Sequence, residues 1–531
     1  MEFFGSFVPP AYLILVLATV FATSLNYLRS RRDWKTRSQG LPLPPGPQSL
    51  PIVGNVFGLP TIRPWLGFRD MSKEYGDLIY LRVFGKGVLL IGNAELAHEF
   101  LDKRSANTSD RAVSPAIKLS GQDLNFGIFP YGPRWRLHRR EFWQFFYPGA
   151  VTKYRPIQLA ETHKFLGRVL TSPSRLKVHI KHLFTGAILK VVYGIDIVDE
   201  DDPRIAIPHA ALEAIRRTTP GGFAVEAFPI LRYVPSWFPG AGFQKIFAEC
   251  KTESDHMKHV LFDEAKEALG RGDSRPCVVA EMLRRAQAET TESNSSNLPE
   301  ETEDKLKNVC ATTVEGGADT TYSLLQAVFV AMTLYPDVQR KAQAALDAVV
   351  GPDRLPDFGD SDALPYIHAI VRETLRWHVV APLGVPHRTI RDDEFHGYFV
   401  PAGTNVFPNA WAMLHDPVAY LDPDEFRPER FMRDGQLDLT VTHDPALFAF
   451  GFGRRICAGR YFAFSSLFIT VASVLHVFDI GPPLDGDGAP IPVKFQQTPE
   501  LLSYPEDCRC TVKPRSKAAG ALIVAAQELN D

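Results

Sequence analysis

The sequence predicts a mainly α-helical chain with little β-structure and an apolar helix at its amino end. Helical patterns fill most of residues 151–285, and one uninterrupted helical pattern runs from about Pro299 to Tyr335. Two short apolar runs, 78–84 and 88–91, flank Gly85-Lys86-Gly87 and predict a β-hairpin. The long helix would measure roughly 50 Å, so it must cross most of its domain.

Composition narrows the class of protein. The chain has 531 residues and a net charge of -3, which gives no support for a nucleic-acid-binding role. Its six cysteines are too few and too scattered for a disulfide framework, which fits a reducing compartment.

The amino end predicts a membrane anchor. Val8 to Leu25 is apolar or small throughout, long enough to span most of a hydrocarbon core of about 30 Å. Five basic residues follow within 29–37 and none precedes, which places the body on the cytoplasmic side. The alternative is a cleaved secretory signal. The prolines of 41–47 then predict a stiff spacer between anchor and body, or a ligand for a proline-binding partner.

Further elements are predicted along the body. Pro64 to Tyr75 is typical of a helix, residues 102–130 of a long irregular loop, and 364–378 of another helix. Residues 228–239 are apolar, aromatic and broken by three prolines. We expect this stretch to form an exposed loop against a membrane; the alternative is a packed core turn.

The middle of the long helix contains Gly316 and Gly317, followed by Asp319 and Thr320. Adjacent glycines inside a helix cost about 1 kcal/mol each relative to alanine, so their presence indicates close approach to the backbone. The Thr320 hydroxyl can bind the carbonyl four residues back, and Asp319 offers a proton. The alternative is close packing against a neighbouring helix.

Charged residues recur at helical spacing. Trp135 and Arg139 share a helix face that suits a carboxylate, although a solvated basic face explains the pattern equally well. Glu373 and Arg376 also share a face, which alone is weak because exposed pairs contribute little.

A single cysteine lies in the loop Phe450 to Gly459, whose spacing is Phe-x-x-Gly-x-Arg-x-Cys-x-Gly. Its glycines let the backbone pass close to a flat or bulky group, and the helix that follows favours the thiolate of Cys457. Arg455 adds a charge for an anionic group. A thiolate of this kind is a nucleophile or a metal ligand; the alternative is a structural cysteine in a turn.

The order of these motifs, from anchor and proline segment to the cysteine loop, resembles the cytochrome P450 superfamily in its microsomal, fungal form. The resemblance covers essentially the whole chain. It implies a mainly α fold with small β-sheets, a helical triangular prism, preceded by a single N-terminal transmembrane helix. The chain then divides into an anchor (1–28), a basic stop-transfer and proline-rich hinge (29–50), a catalytic domain (51–515) and a C-terminal tail (516–531).

The resemblance also implies residue roles. Cys457 is the axial ligand of a haem b iron, Phe450 packs near the thiolate, and Asp319 and Thr320 deliver protons to reduced dioxygen. Gly316 and Gly317 form the oxygen-binding kink. The residues that hold the haem propionates are Trp135, Arg139, Arg388 and Arg455, and those of a buried charge triad are Glu373, Arg376 and Arg430.

The implied activity is insertion of one oxygen atom from dioxygen into a hydrophobic small molecule, in secondary metabolism. Electrons would come from NADPH through cytochrome P450 reductase, with cytochrome b5 as a second donor, at the endoplasmic reticulum membrane. Alternatives are oxidative coupling, desaturation or rearrangement, and a non-catalytic haem sensor. Substrate selection would fall to 105–130, 215–245, the start of the motif around Gly316 to Thr320, 379–385 and a turn near Leu501-Leu502.

Overall fold

The structure is a computed structural model that describes residues 10–112, 114–198, 201–218, 222–273, 275–290 and 298–528. These residues are mainly helical with small sheets, as predicted. The α-helices are α1 (Pro10–Ser38), α2 (Pro64–Tyr75), α3 (Ala94–Ala97), α4 (Ser105–Thr108), α5 (Pro115–Leu119), α6 (Pro133–Phe146), α7 (Pro148–Val151), α8 (Arg155–Thr171), α9 (Leu176–Tyr193), α10 (Pro203–Arg217), α11 (Ala224–Ala227), α12 (Phe243–Arg271), α13 (Val278–Thr290), α14 (Glu300–Leu334), α15 (Pro336–Val349), α16 (Pro365–Trp377), α17 (Ala410–Leu414), α18 (Ala446–Ala449), α19 (Arg460–Val477) and α20 (Lys517–Glu528).

The β-structure forms four small sheets among the described residues. The strands are β1 (Leu78–Val83), β2 (Lys86–Ile91), β3 (His387–Arg388), β4 (Asp393–Phe395), β5 (Tyr398–Val400), β6 (Asn405–Pro408), β7 (Met432–Arg433), β8 (Gln436–Leu437), β9 (Phe478–Gly481) and β10 (Thr511–Pro514). The largest sheet has the order β1-β2-β6-β3, in which β2 and β6 are parallel. β4 pairs with β5, β7 with β8, and β9 with β10, all antiparallel.

The predicted hairpin is present, with a shorter turn than expected. β1 pairs antiparallel with β2 in a register that joins Leu78 to Ile91 and Val83 to Lys86. The turn is therefore Phe84-Gly85, and Lys86 and Gly87 belong to β2. Both turn residues have positive φ, 46° and 77°, as a two-residue turn that follows the twist of the strands requires.

Helix α14 organises the interior. Its carboxyl-terminal half, 324–332, lies in a hydrophobic core with α8, α9, α15, α16 and α19. Its amino-terminal half, 306–318, lies in a second core with α6, α9, α12 and α13. The Gly316–Thr320 segment therefore stands where the two cores meet.

The amino-terminal helix continues into the folded body. We expected an anchor at Val8 to Leu25; Val8 and Pro9 lie outside the described residues, and α1 runs on through the basic segment to Ser38. The Trp34 ring lies 5.2 Å from that of Phe399, and Arg37 forms a two-pronged ion pair with Asp392 at 2.8 and 2.6 Å. These contacts attach the end of α1 to the β4–β5 hairpin.

The proline-rich segment, expected to be a stiff spacer between anchor and body, is itself bound to the body. The Phe399 N–H donates to the Pro42 carbonyl at 2.7 Å, and the Tyr80 N–H donates to the Pro45 carbonyl at 2.8 Å. Leu43 packs against the hydrophobic cluster of the small sheets. The segment is thus held against β1 and β5 as part of the body.

Among the described residues, α19 has the length and apolar composition of a membrane span, but 72% of it is buried inside the protein. Burial on this scale is typical of a core helix, since α19 packs against α8, α14, α15 and α16.

The structure agrees with the predicted loop at 228–239 better than with the one at 102–130. Residues 102–130 are less irregular than expected, because α4, α5 and a 3-10 turn at Gln122–Leu124 lie within them. In the 228–239 stretch, Phe228, Ile230, Tyr233, Trp237 and Phe238 are all exposed. The alternative of a packed core turn is therefore wrong for this stretch.

The segment set apart as a C-terminal tail contains α20. Its Ala519 and Ile523 lie in the same hydrophobic core as α8 and α19. Gln527 lies against Gly167 of α8, where a larger residue would overlap its side chain. The end of the chain is thus part of the core.

Glu373, Arg376 and Arg430 form a buried ionic cluster. The Arg376 guanidinium donates to both Glu373 carboxylate oxygens at 2.8 Å, and Arg430 Nε donates to the same carboxylate at 3.0 Å. Arg376 also donates to the carbonyls of Leu414, Pro423 and Glu425. The cluster therefore ties α16 to the segment that leads to the cysteine loop.

We expect Glu373→Ala to lower the free energy of unfolding by about 3–5 kcal/mol, because it leaves two buried guanidinium groups without their carboxylate. The matched control is Asp337→Ala, which removes an ion pair with Arg340 whose side chains are 75% and 73% exposed. That pair should contribute at most about 1 kcal/mol. Thermal unfolding midpoints of the purified variants compare the two; equal midpoints would contradict the expectation.

Candidate functional site

The cysteine loop is held by its own backbone. The Cys457 N–H donates to the Phe450 carbonyl at 2.7 Å, and the Phe450 ring lies 5.2 Å from Phe464 at the start of α19. Arg460 Nη1 donates to the Cys457 carbonyl at 2.9 Å. The loop therefore presents the cysteine at the amino end of α19.

The glycines of this loop have different tasks. A methyl group at Gly459 would contact nothing within 4 Å, so this residue leaves open space beside the cysteine. Gly453, with φ +53°, lies so close to the Leu101 carbonyl that any side chain would overlap it. Its N–H donates to Asp102. Gly453 thus serves packing between the loop and the helical turn at 98–103, which is a role the sequence pattern did not separate from ligand approach.

Cys457 combines accessible surface with a desolvated setting. Its side chain is exposed, yet surrounding protein raises the pKa of the thiol by desolvation. Backbone N–H groups of Gly459 and Arg460 and the charges of Arg139 and Arg460 act in the opposite direction. We expected the helix end to favour the thiolate; this contribution is present but burial outweighs it. The thiol therefore borders an internal space.

Arg455 is the most buried of the predicted arginines in this region. Its Nε donates to the Ser109 carbonyl at 2.7 Å and its Nη2 to the Phe129 carbonyl at 2.6 Å. The guanidinium lies 4.4 Å from the centre of the Trp135 ring. Nη1 is buried and has no hydrogen-bond partner among the described residues. The two N–H groups of Nη1 thus remain for acceptors beyond these contacts.

Arg139 and Arg388 approach the same region from two other elements. Arg139 Nη2 donates to the Ile456 carbonyl at 2.6 Å, which places it beside Cys457. Arg388 lies 3.6 Å from Asp110, whose neighbour Ser109 accepts from Arg455. Burial lowers the pKa of both Arg139 and Arg455, the latter to about 10. Positive charge is therefore concentrated next to the cysteine.

Sequence reasoning missed Arg111. This buried side chain donates to the Val385 carbonyl at 2.5 Å and the Pro386 carbonyl at 2.7 Å. Desolvation, followed by the charge of Arg455, lowers its pKa well below the usual value. In the sequence, Arg111 is an arginine in a stretch without helical or strand periodicity, and no other feature distinguishes it.

The two glycines of α14 have different surroundings, and each fits a different one of the two interpretations, close helix packing or open backbone. A methyl group at Gly317 would lie 3.2 Å from Ile188 of α9, so this residue permits close helix packing. A methyl group at Gly316 would contact nothing within 4 Å, and the residue is exposed although it lies between buried residues of α14. Thr320 Oγ1 donates to the Gly316 carbonyl at 2.9 Å. The open turn of α14 thus lies at Gly316.

Asp319 is buried and accepts a hydrogen bond from the hydroxyl of Tyr504. Desolvation raises the pKa of this carboxyl, while Tyr504, Arg216 and Lys181 act in the opposite direction. Tyr504 is a second residue that sequence reasoning missed, although the neighbouring turn at Leu501-Leu502 was named. Ser323 Oγ donates to the Ser503 carbonyl at 2.6 Å and so fixes that turn against α14.

Glu315 is a buried acid beside the open turn. Asn125 Nδ2 donates to one carboxyl oxygen at 2.8 Å, while the other has no partner among the described residues. Burial raises its pKa to about 7. Because Asn125 belongs to the 102–130 segment, this contact brings a predicted substrate-selecting loop onto α14.

The haem implied by the resemblance can be tested against these residues. Cys457 offers one sulfur ligand facing an internal space, and α14, with its open turn at Gly316, packs against α19, which follows the cysteine. The free Nη1 of Arg455 and the neighbouring arginines suit the carboxylates of such a group. The donor set therefore fits a flat ligand with an acidic edge.

The predicted residues fall into groups that lie in different places in the structure. Trp135, Arg139, Arg455 and Cys457 lie together, and Arg388 joins them through Asp110. The Glu373 cluster lies elsewhere, among the carbonyls of residues 414–425. Arg136 and Arg454 are exposed, and their guanidinium carbons lie 5.6 and 5.5 Å from the centre of the Tyr131 ring.

The chain resembles known proteins over most of its length. The family model for cytochrome P450 matches residues 44–504. The chain is 39% identical to cytochrome P450 monooxygenase COX1 of Coprinopsis cinerea, over 96% of this chain and 98% of that protein. It is 41% identical to COX2 of the same fungus, over 92% of each chain. It is 36% identical to tryptamine 4-monooxygenase of Psilocybe cyanescens, over 95% of this chain and 98% of that protein.

The pKa of Glu315 makes stability depend on pH. The folded chain holds a proton up to about pH 7 that an unfolded glutamic acid releases near 4.5, so stability falls as pH rises between these values. Glu315→Gln lacks this loss. We expect its stability advantage over the parent protein to grow by about 3 kcal/mol between pH 4 and pH 8.

Thermal unfolding midpoints at the two pH values measure this difference. The control is Glu301→Gln, which removes an acid from the exposed first turn of the same helix. A difference between Glu315→Gln and the parent protein that stays constant with pH would contradict the expectation.

Proposed function

The chain belongs to the cytochrome P450 family and is a monooxygenase of that family, and from this premise we propose a more specific activity. The protein is a membrane-anchored enzyme that takes electrons from NADPH and inserts one oxygen atom of dioxygen into a hydrophobic small molecule of fungal secondary metabolism. The observation that carries this proposal is Cys457, an accessible thiol that faces an internal space beside a cluster of arginines.

Cys457 would hold the iron of haem b. When bound, a haem with an axial thiolate binds and activates dioxygen for transfer of an oxygen atom. Backbone N–H groups of Gly459 and Arg460 reach the sulfur and would tune its basicity. Metal binding removes the thiol proton, which offsets the desolvation that raises the pKa of the free thiol.

The propionate carboxylates would meet the arginine cluster. Arg455 has the two buried N–H groups of Nη1 available, and its hydrogen bonds to two carbonyls fix the guanidinium in place. Arg139, Arg388 and Trp135 stand around it. Carboxylates there would compensate positive charge that Asp110 and Tyr131 balance only in part.

Asp319 and Thr320 would supply protons at the open turn of α14. Burial raises the pKa of Asp319, so it retains a proton closer to neutral pH than an exposed aspartic acid does. Thr320 lies on the next position, with its hydroxyl on the Gly316 carbonyl. A hydroxyl both donates and accepts, so it can orient a proton donor toward bound dioxygen.

The residues around this turn come from the segments expected to select substrate. Asn125 reaches Glu315, Tyr504 reaches Asp319, and the Ser503 N–H donates to the Val380 carbonyl at 2.7 Å. One relative is a tryptamine 4-monooxygenase, an enzyme named for an aromatic amine. We therefore include tryptamine and other aromatic compounds, with terpenoids and polyketides, in a screen by spin-state shift.

Attachment to the endoplasmic reticulum membrane rests on α1 and on the exposed apolar stretch 228–239. The basic residues at 29–37 follow the apolar part of α1, and the stretch presents exposed Ile230 and Trp237. On this membrane the electron donor would be the NADPH-dependent reductase, with cytochrome b5 as a second donor.

We expect the membrane fraction of a yeast host that makes the full chain to show the reduced carbon-monoxide spectrum of a thiolate-ligated haem. Cys457→Ala should lose this spectrum, because alanine supplies no ligand. The control is Cys508→Ala, a buried cysteine in the core around α14. A spectrum retained in Cys457→Ala would overturn the ligand assignment, and one confined to the soluble fraction would overturn the anchor.

We expect Thr320→Ala to uncouple oxygen use from product. With reductase, NADPH and a substrate found in the screen, product formed per NADPH should fall about tenfold while hydrogen peroxide rises. The control is Thr333→Ala on the same helix, whose hydroxyl makes the same type of bond to the Phe329 carbonyl. Equal product yields in the two variants would contradict a role for Thr320, whereas ligand-induced spectral change without any product in the parent protein would favour a non-catalytic sensor.

A further inference from the structure

The contact between Tyr504 and Asp319 joins two distant parts of the chain. The Tyr504 hydroxyl donates to Asp319 Oδ2, and the turn that carries Tyr504 is fixed to α14 by Ser323. Asp319 is 8% exposed, whereas Tyr504 is half-buried. The phenol therefore stands between the buried acid and the exterior.

Arg216, near the end of α10, lies beside Tyr504. Its guanidinium carbon is 5.9 Å from the centre of the Tyr504 ring. Arg216 also forms an ion pair with Glu213, and their side chains are 41% and 50% exposed. Solvent-accessible charge thus lies next to the phenol.

We propose that Tyr504 is a positioning residue that holds the Asp319 carboxyl in place and returns protons to it from the surface at Arg216. The proposal deepens the proposed function and rests on it, since Asp319 is there the proton donor to dioxygen. It assigns a role to a residue of the carboxyl-terminal turn, outside the motif that contains Asp319 and Thr320.

Only protons move in the relay, and their number balances. Asp319 gives its proton toward Thr320 and the bound dioxygen, and the carboxylate that remains takes the phenolic proton of Tyr504. In the same step a proton from bulk solvent, delivered by water next to Arg216, reaches the phenolic oxygen, so the net change is the uptake of one solvent proton. Arg216 keeps its own proton and stabilises by its charge the negative charge that develops on the phenolic oxygen. Electrons come from NADPH, as in the proposed function.

The groups that face Asp319 set the sign of its pH dependence. They are Tyr504 of the carboxyl-terminal turn, Arg216 and Glu213 of α10, Lys181 of α9, and Tyr322 of α14 itself. The Tyr504 hydrogen bond stabilises the carboxylate and so lowers the pKa of Asp319. Removing this bond raises that pKa, so a rate that needs protonated Asp319 falls off at higher pH than before.

The test compares Tyr504→Phe with Tyr322→Phe, because both remove one hydroxyl and the two rings are 6.1 Å apart. Among the described contacts the Tyr322 hydroxyl makes no hydrogen bond to Asp319. The assay needs no known substrate: reductase and NADPH drive oxygen consumption, and the rate is measured from pH 6 to pH 9. Each variant first gives its reduced carbon-monoxide spectrum.

We expect Tyr504→Phe to lower the maximal rate of oxygen consumption about tenfold. Its alkaline fall-off should move up by roughly half to one pH unit, and Tyr322→Phe should match the parent protein in both respects. Arg216→Gln should shift the fall-off in the same direction, and Arg216→Lys should restore it. In the resting protein, the infrared band of protonated Asp319, assigned with Asp319→Asn, should persist to higher pH in Tyr504→Phe.

Two outcomes would overturn the relay while leaving the proposed function intact. One is a Tyr504→Phe protein whose rate and fall-off equal those of Tyr322→Phe. The other is a lowered rate with the fall-off and the infrared band unmoved, which is the behaviour of a residue with a structural role only. A parent protein without the thiolate-type spectrum would overturn the proposed function itself.

Discussion

The middle of α14 must leave part of its backbone open while both of its halves are held in hydrophobic cores. Gly316 meets this demand with an open turn, and Gly317, one residue later, packs against Ile188 of α9. The Thr320 hydroxyl donates a hydrogen bond to the Gly316 carbonyl. Asn125 donates one to Glu315, and Tyr504 donates one to Asp319. The loops that carry those partners are thereby placed over the turn. The position of the cysteine follows from the same helix, since α19 begins three residues after Cys457 and packs against α14.

The sequence predicted elements best where one period or one special residue decides the local structure. α2 has the predicted bounds, and α14 differs by one residue at each end. The division of labour between Gly316 and Gly317 could not be predicted, because it depends on which face of α14 meets α9. Tyr504 and Arg111 carry no local pattern; their partners lie 185 residues away and about 275 residues away along the chain. Long-range contacts of this kind are set by packing, which a single sequence does not show.

Next to Cys457, burial disfavours the charged forms of the side chains that lie there. Arg111, Arg139 and Arg455 all have pKa values lowered mainly by desolvation, and the same cause raises the pKa of the Cys457 thiol. The protein thus keeps buried cations and a neutral thiol at a cost in folding free energy. A ligand that brings carboxylates to the arginines and a metal to the sulfur relieves both costs together, so its binding and the stability of this region are coupled.

The burial of α20 bears on the order of events during synthesis. Ile523 and Ala519 belong to the core shared by α8 and α19, so a core that begins near residue 165 is completed by residues near 520. These residues are synthesised long after α8, so α8 cannot complete this packing until they have left the ribosome. Elements whose contacts are local in sequence can fold earlier in synthesis.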